Sequence, residues 1–157
     1  MLSLKKKLMK KLFMFFFLTL ISCKNEVNQY QTVRKNVKLK TGKWVKKDDY
    51  PDQKYVSIGK YKKGEKTGVW KVYLNGALYQ KDKFKDSITR TKFYYPDGKI
   101  LKKGVSKTIE DHQTILWYYH GKWKFYDDNG KLEYIKTYYK DSNKTDSINI
   151  KKGLNKN

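Results

Sequence analysis

An internal repeat constrains this chain more than any other feature of its sequence. Residues 68–73 (GVWKVY) recur as residues 121–126 (GKWKFY), and residues 75–78 (NGAL) recur as residues 129–132 (NGKL). A weaker partial copy begins at Gly42-Lys43-Trp44. Repeats with a period of about 20–50 residues indicate arrays of one supersecondary unit. We therefore expect a fold built by repetition rather than around one central core.

The repeated unit has the pattern of a β-hairpin. Trp70 and Val72 alternate with Lys71 and Tyr73, and a period of two with aromatic and β-branched residues indicates strands. Asn75-Gly76 predicts a tight turn between two such runs, because both turn residues need a positive φ. Further turns are predicted at Pro96-Asp97-Gly98, at Asp128-Asn129-Gly130 and, ahead of Trp123, at His120-Gly121.

These patterns predict an all-β fold in which repeated antiparallel β-hairpins form a single-layer or curved meander sheet, preceded by a helical signal peptide. No segment after the N-terminal region has a convincing helical period. An open meander leaves sheet edges exposed, and we expect the many lysines along the strands to oppose edge-to-edge pairing.

Residues 59–78 resemble a MORN-type repeat of the variant common in bacterial proteins, whose pattern is G-x-Y-x-x-G-x-x-x-G-x-W-x-x-Y followed by N-G-x-L. The resemblance implies consecutive β-hairpins and a binding or scaffolding role toward proteins or membrane lipids. Many bacterial relatives are described as YwqK-type antitoxins, which implies a toxin-neutralising or immunity-like role as an alternative. The repeat-defining residues are Gly59, Tyr61, Gly64, Gly68, Trp70, Tyr73, Asn75, Gly76 and Leu78 in one copy, and Gly121, Trp123, Tyr126, Asn129, Gly130 and Leu132 in a second, partial copy.

The N-terminal region has the pattern of a secretory signal. Five lysines precede the apolar run of residues 12–21, which is shorter than the ~20 residues that a spanning helix needs. The sequence then reads Ser22-Cys23, and residues 20–23 (LISC) resemble the bacterial lipobox. The resemblance implies cleavage between Ser22 and Cys23 and attachment of lipid, such as palmitate, to Cys23. Cys23 is the only cysteine, so it cannot form an internal disulfide.

These predictions divide the chain into four parts. Residues 1–22 are the lipoprotein signal peptide, and residues 23–40 are the lipidated cysteine and a polar tether. Residues 41–150 are the β-hairpin repeat domain, and residues 151–157 are a flexible basic tail. We expect the protein to be anchored in the bacterial cell envelope, with the outer membrane favoured and its periplasmic or surface face open.

The chain is strongly basic, with a formal charge of +22. Such a charge indicates an anionic partner, and anionic lipid or glycan is one alternative. Nucleic acid is not favoured, because the only arginines are Arg34 and Arg90 and lysine lacks the planar fork that reads phosphates and guanine edges. A solvated lysine surface is the other alternative, and the leading prediction is a protein partner.

The sequence predicts no catalytic site, no metal site and no cofactor. The histidines are His112 and His120 alone, and no nucleophile elbow or phosphate-binding loop occurs. Asp48-Asp49 with Asp52 has the wrong spacing for a calcium loop. Two short patterns, Asp86-Ser87-Ile88 and Asp146-Ser147-Ile148, resemble an O-glycosylation acceptor, which makes Ser87 and Ser147 candidate modification sites.

Aromatic residues interleave with lysines along the chain, and aromatic content is 16%. On an open sheet such a stripe stacks sugars or bases with cationic support, or else it forms the core of a thin sheet. The second alternative is favoured, because a thin sheet has few other apolar residues to bury. The residues concerned are Tyr94, Tyr95, Trp117, Tyr118, Tyr119 and Tyr126.

Overall fold

A computed structural model describes residues 26–111, 114–139 and 145–149, and in these residues the chain forms one ten-stranded antiparallel sheet. Strand order in the sheet is the order along the chain, so every strand pairs with its sequence neighbours. None of the described residues forms a helix long and apolar enough to cross a membrane. The strands are β1 (Gln29–Arg34), β2 (Val37–Tyr50), β3 (Gln53–Lys62), β4 (Glu65–Leu74), β5 (Ala77–Lys85), β6 (Ile88–Tyr94), β7 (Ile100–Asp111), β8 (Thr114–Tyr126), β9 (Leu132–Tyr138) and β10 (Thr145–Asn149).

The predicted all-β meander is thus confirmed, and the predicted turn at Asn75-Gly76 is present. Asn75 and Gly76 have φ values of 50° and 87°, as a two-residue hairpin between β4 and β5 requires. The Asn75 side chain also joins this turn to the β2–β3 turn at the same end of the strands, because its Oδ1 accepts the backbone N–H of Lys54 at 2.8 Å. The β2–β3 and β4–β5 turns therefore support each other.

The predicted turn at His120-Gly121 is wrong. Both residues lie inside β8, which runs without interruption from Thr114 to Tyr126. Gly121 has a φ of +66°, but this left-handed residue sits beside an irregularity in the β7–β8 register between Lys103 and Val105. A positive φ in a strand produces a bulge as readily as a turn, so the glycine bends the strand without ending it.

The sheet also begins earlier than the sequence indicated. Residues 29–40, assigned to the polar tether, form β1 and the start of β2, so the sheet starts at Gln29 and not near Thr41. All six residues of β1 are exposed. Backbone hydrogen bonds to β2 hold this edge strand, and such bonds need no apolar side chains, so the hydropathy pattern did not reveal it.

A sheet of one layer has two solvent-facing sides and a thin core. Among the described residues the buried hydrophobic side chains are Trp70, Phe93 and Trp123. Cross-strand pairing places all three on one side, which we call the aromatic face; it also carries Trp44, Tyr61, Tyr119 and Tyr138. The opposite side carries Lys71, Lys81, Lys92, Lys103 and Lys124, and we call it the lysine face.

Candidate functional site

The core of the aromatic face consists of two tryptophans, each stacked on a glycine of the preceding strand. A Cβ placed on Gly59 would lie 2.0 Å from Cδ2 of Trp70, and one placed on Gly104 would lie 2.2 Å from Cδ2 of Trp123. Both distances are far below van der Waals contact, so only glycine leaves room for these rings. Each indole also donates a hydrogen bond to the same glycine's strand, Trp70 to the carbonyl of Lys60 at 3.1 Å and Trp123 to that of Val105 at 2.9 Å.

The two tryptophan–glycine units explain the G-x-W part of the repeat. Gly68 and Gly121 lie two residues before Trp70 and Trp123, and both have a φ of +66°. The glycines under the rings lie where the ladder is irregular, between Ile58 and Lys60 in one unit. One glycine therefore bends the tryptophan's strand, and the other receives the ring.

A buried polar pair links the two units across the middle of the sheet. Trp70 pairs with Asp82, Asp82 with Thr91, and Thr91 with Gly104, the glycine under Trp123. The Thr91 hydroxyl donates to Asp82 Oδ1 at 2.7 Å, and the Gln80 amide donates to Asp82 Oδ2 at 2.8 Å. Both carboxylate oxygens of Asp82 are satisfied, which offsets the cost of removing a carboxylate from water.

Aromatic rings extend outward from both tryptophans, in edge-to-face contacts except for a tilted contact between Trp123 and Tyr119. Tyr61 lies between Trp44 and Trp70, with ring centroids 5.4 and 5.1 Å away. At the other unit Trp123 contacts Tyr119 at 4.1 Å, and Tyr119 contacts Tyr138 at 5.1 Å. The edge-to-face separations are those at which such ring pairs are favourable, and the Trp123–Tyr119 pair is closer still, so the rings hold one another in place.

Lysines of the aromatic face lie over these rings. Lys40 Nζ is 4.8 Å from the Trp44 ring centroid, and Lys102 Nζ is 4.5 Å from that of Phe93. Burial lowers the pKa of Lys102 and is also the main reason that the pKa of Tyr119 is raised. Each of these lysines therefore has a structural role, because its cation and its stem cover an aromatic ring.

The lysine face has a different arrangement. Its lysines are directly opposite one another on consecutive strands: Lys71 pairs with Lys81, Lys81 with Lys92, Lys92 with Lys103, and Lys103 with Lys124. We call these five residues the lysine row. The row ends at Ile58 on β3 and Ile135 on β9, which pair with Lys71 and Lys124.

The predicted repeat residues fall into structural classes. The tyrosine and leucine of the motif are direct cross-strand partners in both copies, Tyr73 with Leu78 and Tyr126 with Leu132. Gly64 lies in the β3–β4 turn with a φ of +87°, next to Leu39. Asn129 and Gly130 lie in the β8–β9 turn, where the Gly130 N–H donates to the Asp127 carbonyl at 2.9 Å.

The aromatic stripe predicted from sequence is divided between the two faces. Trp117 and Tyr119 lie on the aromatic face, 5.1 Å apart, whereas Tyr118 points to the other side of the same strand. Tyr94 and Tyr126 also lie on the lysine face, where Lys103 Nζ is 5.1 Å from the Tyr126 ring. Adjacent residues of a strand point to opposite faces. The number of aromatic residues counted along the chain is therefore larger than the number on either face.

The remaining candidate residues give no assembled site. Ser22 and Cys23 lie outside the described residues. Ser87 is exposed in the β5–β6 turn, and Ser147 is exposed within β10, opposite Lys136. In the described part of the chain no group of three His, Cys, Asp or Glu residues could hold a metal ion. Asp48 instead forms an ion pair with Lys46 at 2.8 Å.

Gly104 was not predicted from the sequence as a repeat residue. It corresponds to Gly59, but Ser106 stands where the first unit has Tyr61, so the G-x-Y pattern is lost. Ser106 is fully buried, and Tyr119 on the next strand supplies the ring that packs beside Trp123. The signal that could have found Gly104 is a glycine inside a strand pattern one hairpin before a tryptophan.

A family model described as a MORN repeat variant matches residues 90–107 and 119–141. These stretches cover most of β6, parts of β7 and β8 and all of β9, and they include Gly104 and Trp123. Residues 59–78, where the full repeat pattern stands in the sequence, lie outside the matched stretches. Comparisons with curated proteins and with solved structures found no match.

Proposed function

We propose that the protein is a non-enzymatic lipoprotein of the cell envelope whose aromatic face binds a protein partner. The observation that carries the proposal is the aromatic face itself. It is a row of rings on an open sheet, held in place by ring contacts and by the two glycines that lie under the tryptophans. The MORN repeat variant is consistent with a repeat-based binding or scaffold module. Such a surface suits an extended partner, because a sheet of one layer presents a broad side to solvent.

Two properties of the aromatic face support a protein partner. Tyrosine and tryptophan are enriched at the centres of protein interfaces, where they lose little conformational entropy on binding. Here they are restrained before binding, since Tyr61 touches two neighbouring rings and Tyr119 touches three. Trp117 lies near the start of β8 and is 54% exposed. Its contact with Tyr119 extends the row of rings toward that end of the strand.

Anchoring through Cys23 would hold the sheet close to the membrane. Because β1 starts at Gln29, residues 24–28 are the chain between the lipidated cysteine and the sheet. A fully extended chain spans ~3.3–3.6 Å per residue, so the six Cα–Cα steps from Cys23 to Gln29 reach about 20 Å. The proposal therefore places the β1 edge next to the bilayer and the rest of the sheet farther away.

Photo-crosslinking tests the proposed face with a matched pair of neighbours. Leu116 and Trp117 are 59% and 54% exposed on the same strand but point to opposite faces. A benzophenone amino acid placed at Trp117 in intact cells should crosslink a discrete protein, and the same group at Leu116 should not. Equal crosslinking at both positions, or none at Trp117, would refute the assignment. The identity of the protein also distinguishes a scaffold from a toxin-neutralising role.

A separate experiment tests the anchor. The intact mass of the protein extracted from membranes with detergent should correspond to a chain that starts at an acylated Cys23. Cys23→Ala should remain at full length and lose lipid. A full-length, unmodified wild-type chain would overturn the lipoprotein assignment while leaving the crosslinking result to stand by itself.

A further inference from the structure

Apart from Lys103, which lies over the Tyr126 ring, the lysine row has no structural explanation of the kind found on the aromatic face. Five lysines stand in direct register on β4 to β8, and four consecutive pairs place like charges opposite each other. Like charges directly opposite in a sheet are destabilising. The protection of edges does not apply, because the edges of the described sheet are β1 and β10 and the row crosses its interior.

The surroundings of the row add positive charge. A depression of about 400 Å³ is lined by row members from Lys81 to Lys124 and by further basic residues, and none of the residues lining it is acidic. Lys83 pairs directly with Arg90, which makes a second like-charge pair beside the row. The ion pairs Lys46–Asp48 and Lys99–Asp97 lie elsewhere. The basic residues lining the depression are Lys81, Lys83, Arg90, Lys92, Lys103, Lys122 and Lys124.

Tyrosines run along one side of the row. Tyr73, Tyr94 and Tyr126 lie two residues from row lysines on β4, β6 and β8, and Lys103 already lies over the Tyr126 ring. Beyond them an apolar groove of about 460 Å³ is lined by Leu78, Tyr94 and neighbouring residues. The lysine face thus combines a line of cations with a parallel line of flat rings.

We propose that the lysine face binds a linear anionic polysaccharide with one carboxylate per sugar. Neighbouring strands are ~4.8 Å apart, so the row presents one cation about every sugar length over a path of about 19 Å. Carboxylates pair with the lysines, and sugar rings pack on the tyrosines. This surface is separate from the aromatic face and does not depend on the protein partner proposed above.

The shape of the row favours a polymer over a membrane. Sheets twist by ~20–25° per strand, so a row across five strands turns by roughly 80–100° from end to end. A planar bilayer meets such a row over a short part of its length, whereas a flexible chain follows it throughout. Arginine forks, which recognise phosphates in two-point contacts, are represented in the depression by Arg90 alone.

The test measures binding of fluorescently labelled polygalacturonate to the full chain. The row variant replaces Lys81, Lys92, Lys103 and Lys124 by glutamine. A control variant replaces four exposed lysines outside the row, so both variants lose the same charge. Removing like-charge pairs should leave the thermal midpoint of the row variant unchanged or higher, which keeps folding out of the comparison. The control positions are Lys35, Lys38, Lys54 and Lys131.

The expected result is a loss of about tenfold or more in affinity for the row variant and less than about twofold for the control. The slope of log K against the logarithm of the salt concentration should also become shallower by about 3. This is the value expected for four lost contacts, by analogy with single-stranded polyanions. Equal losses in both variants would show diffuse charge attraction and overturn the proposal. Tighter binding of the wild type to phosphatidylserine vesicles or to oligo-dT than to polygalacturonate would overturn the ligand class.

Discussion

Gly104→Ala should destabilise the protein through one contact, the ring of Trp123. The added methyl would lie 2.2 Å from Cδ2, more than an ångström short of the 3.4 Å at which ordinary contact begins. Trp123 has a relative exposure of 0%, so its ring has no free space in which to move. Overpacking of this kind costs ~1–3 kcal/mol, and the rigid ring puts the expected loss in the free energy of unfolding at about 3 kcal/mol.

Urea denaturation of a double-mutant cycle measures this contact directly. Trp123→Ala alone should cost about 3–5 kcal/mol, the usual range for a buried tryptophan. In that background Gly104→Ala should be neutral or stabilising by roughly 0.5–1 kcal/mol, because alanine is preferred to glycine within a strand. The two substitutions should therefore show a coupling energy of about 3–4 kcal/mol, far above the scatter of such cycles.

Gly130→Ala provides the control. Gly130 has open space around it but a φ of +81°, so alanine there costs about 1–2 kcal/mol from backbone strain alone. That cost should be the same with or without Trp123. If Gly104→Ala costs the same in both backgrounds, its effect is not a steric contact with Trp123, and the proposed role of Gly104 is refuted. A cost below about 1 kcal/mol in the wild type would refute it as well.

Three further substitutions test other parts of the structure. Thr91→Val should lower the free energy of unfolding by about 1–3 kcal/mol, because it leaves buried Asp82 Oδ1 without its donor; urea titration measures this, and an unchanged midpoint would contradict the buried pair. Asn75→Ala removes the acceptor of the Lys54 N–H and places alanine at φ 50°, so we expect a loss of about 1–2 kcal/mol and lower amide protection at Lys54 by hydrogen exchange. The folded-state pKa of Tyr119 is raised, mainly by burial. The stabilisation linked to the protonated side chain is therefore fully present below pH 10 and is lost as pH rises above 10. The urea midpoint of Tyr119→Phe should decline less than that of the wild type over that range, and parallel declines would disprove the assignment.

Local patterns in the sequence were sufficient for much of this architecture. Alternation around Trp70 and the Asn75-Gly76 turn predict the central hairpin, because strand period and positive φ are properties of a few adjacent residues. The role of Gly121 was missed since a glycine with positive φ suits a turn and a bulge equally, and the pairing of β7 with β8 decides between them. Strand β1 was missed because its side chains carry no apolar period, although its backbone pairs along the β2 edge.

The candidate surfaces were less accessible to sequence reasoning. The lysine row depends on five residues whose register is set by turns and bulges elsewhere, and a shift of one residue in any strand would move its lysine to the other face. The role of Gly104 could not be predicted either, because it depends on the Trp123 ring that the neighbouring strand places above it. The chemistry of each face therefore arises from pairing, which the spacing of lysines and rings along the chain does not encode.

The sequential strand order has a consequence for how such proteins change length. Contacts form between strands adjacent in the chain, so the removal or duplication of one hairpin alters the sheet at a single seam. In quasi-one-dimensional arrays of this kind stability accumulates unit by unit, and terminal units open before central ones. Amide protection should accordingly be greatest in β5 to β7 and decline toward both ends. Each duplicated hairpin that carries a lysine in register on both of its strands would lengthen the cationic path by two cross-strand steps, so binding reach and sheet length would evolve together.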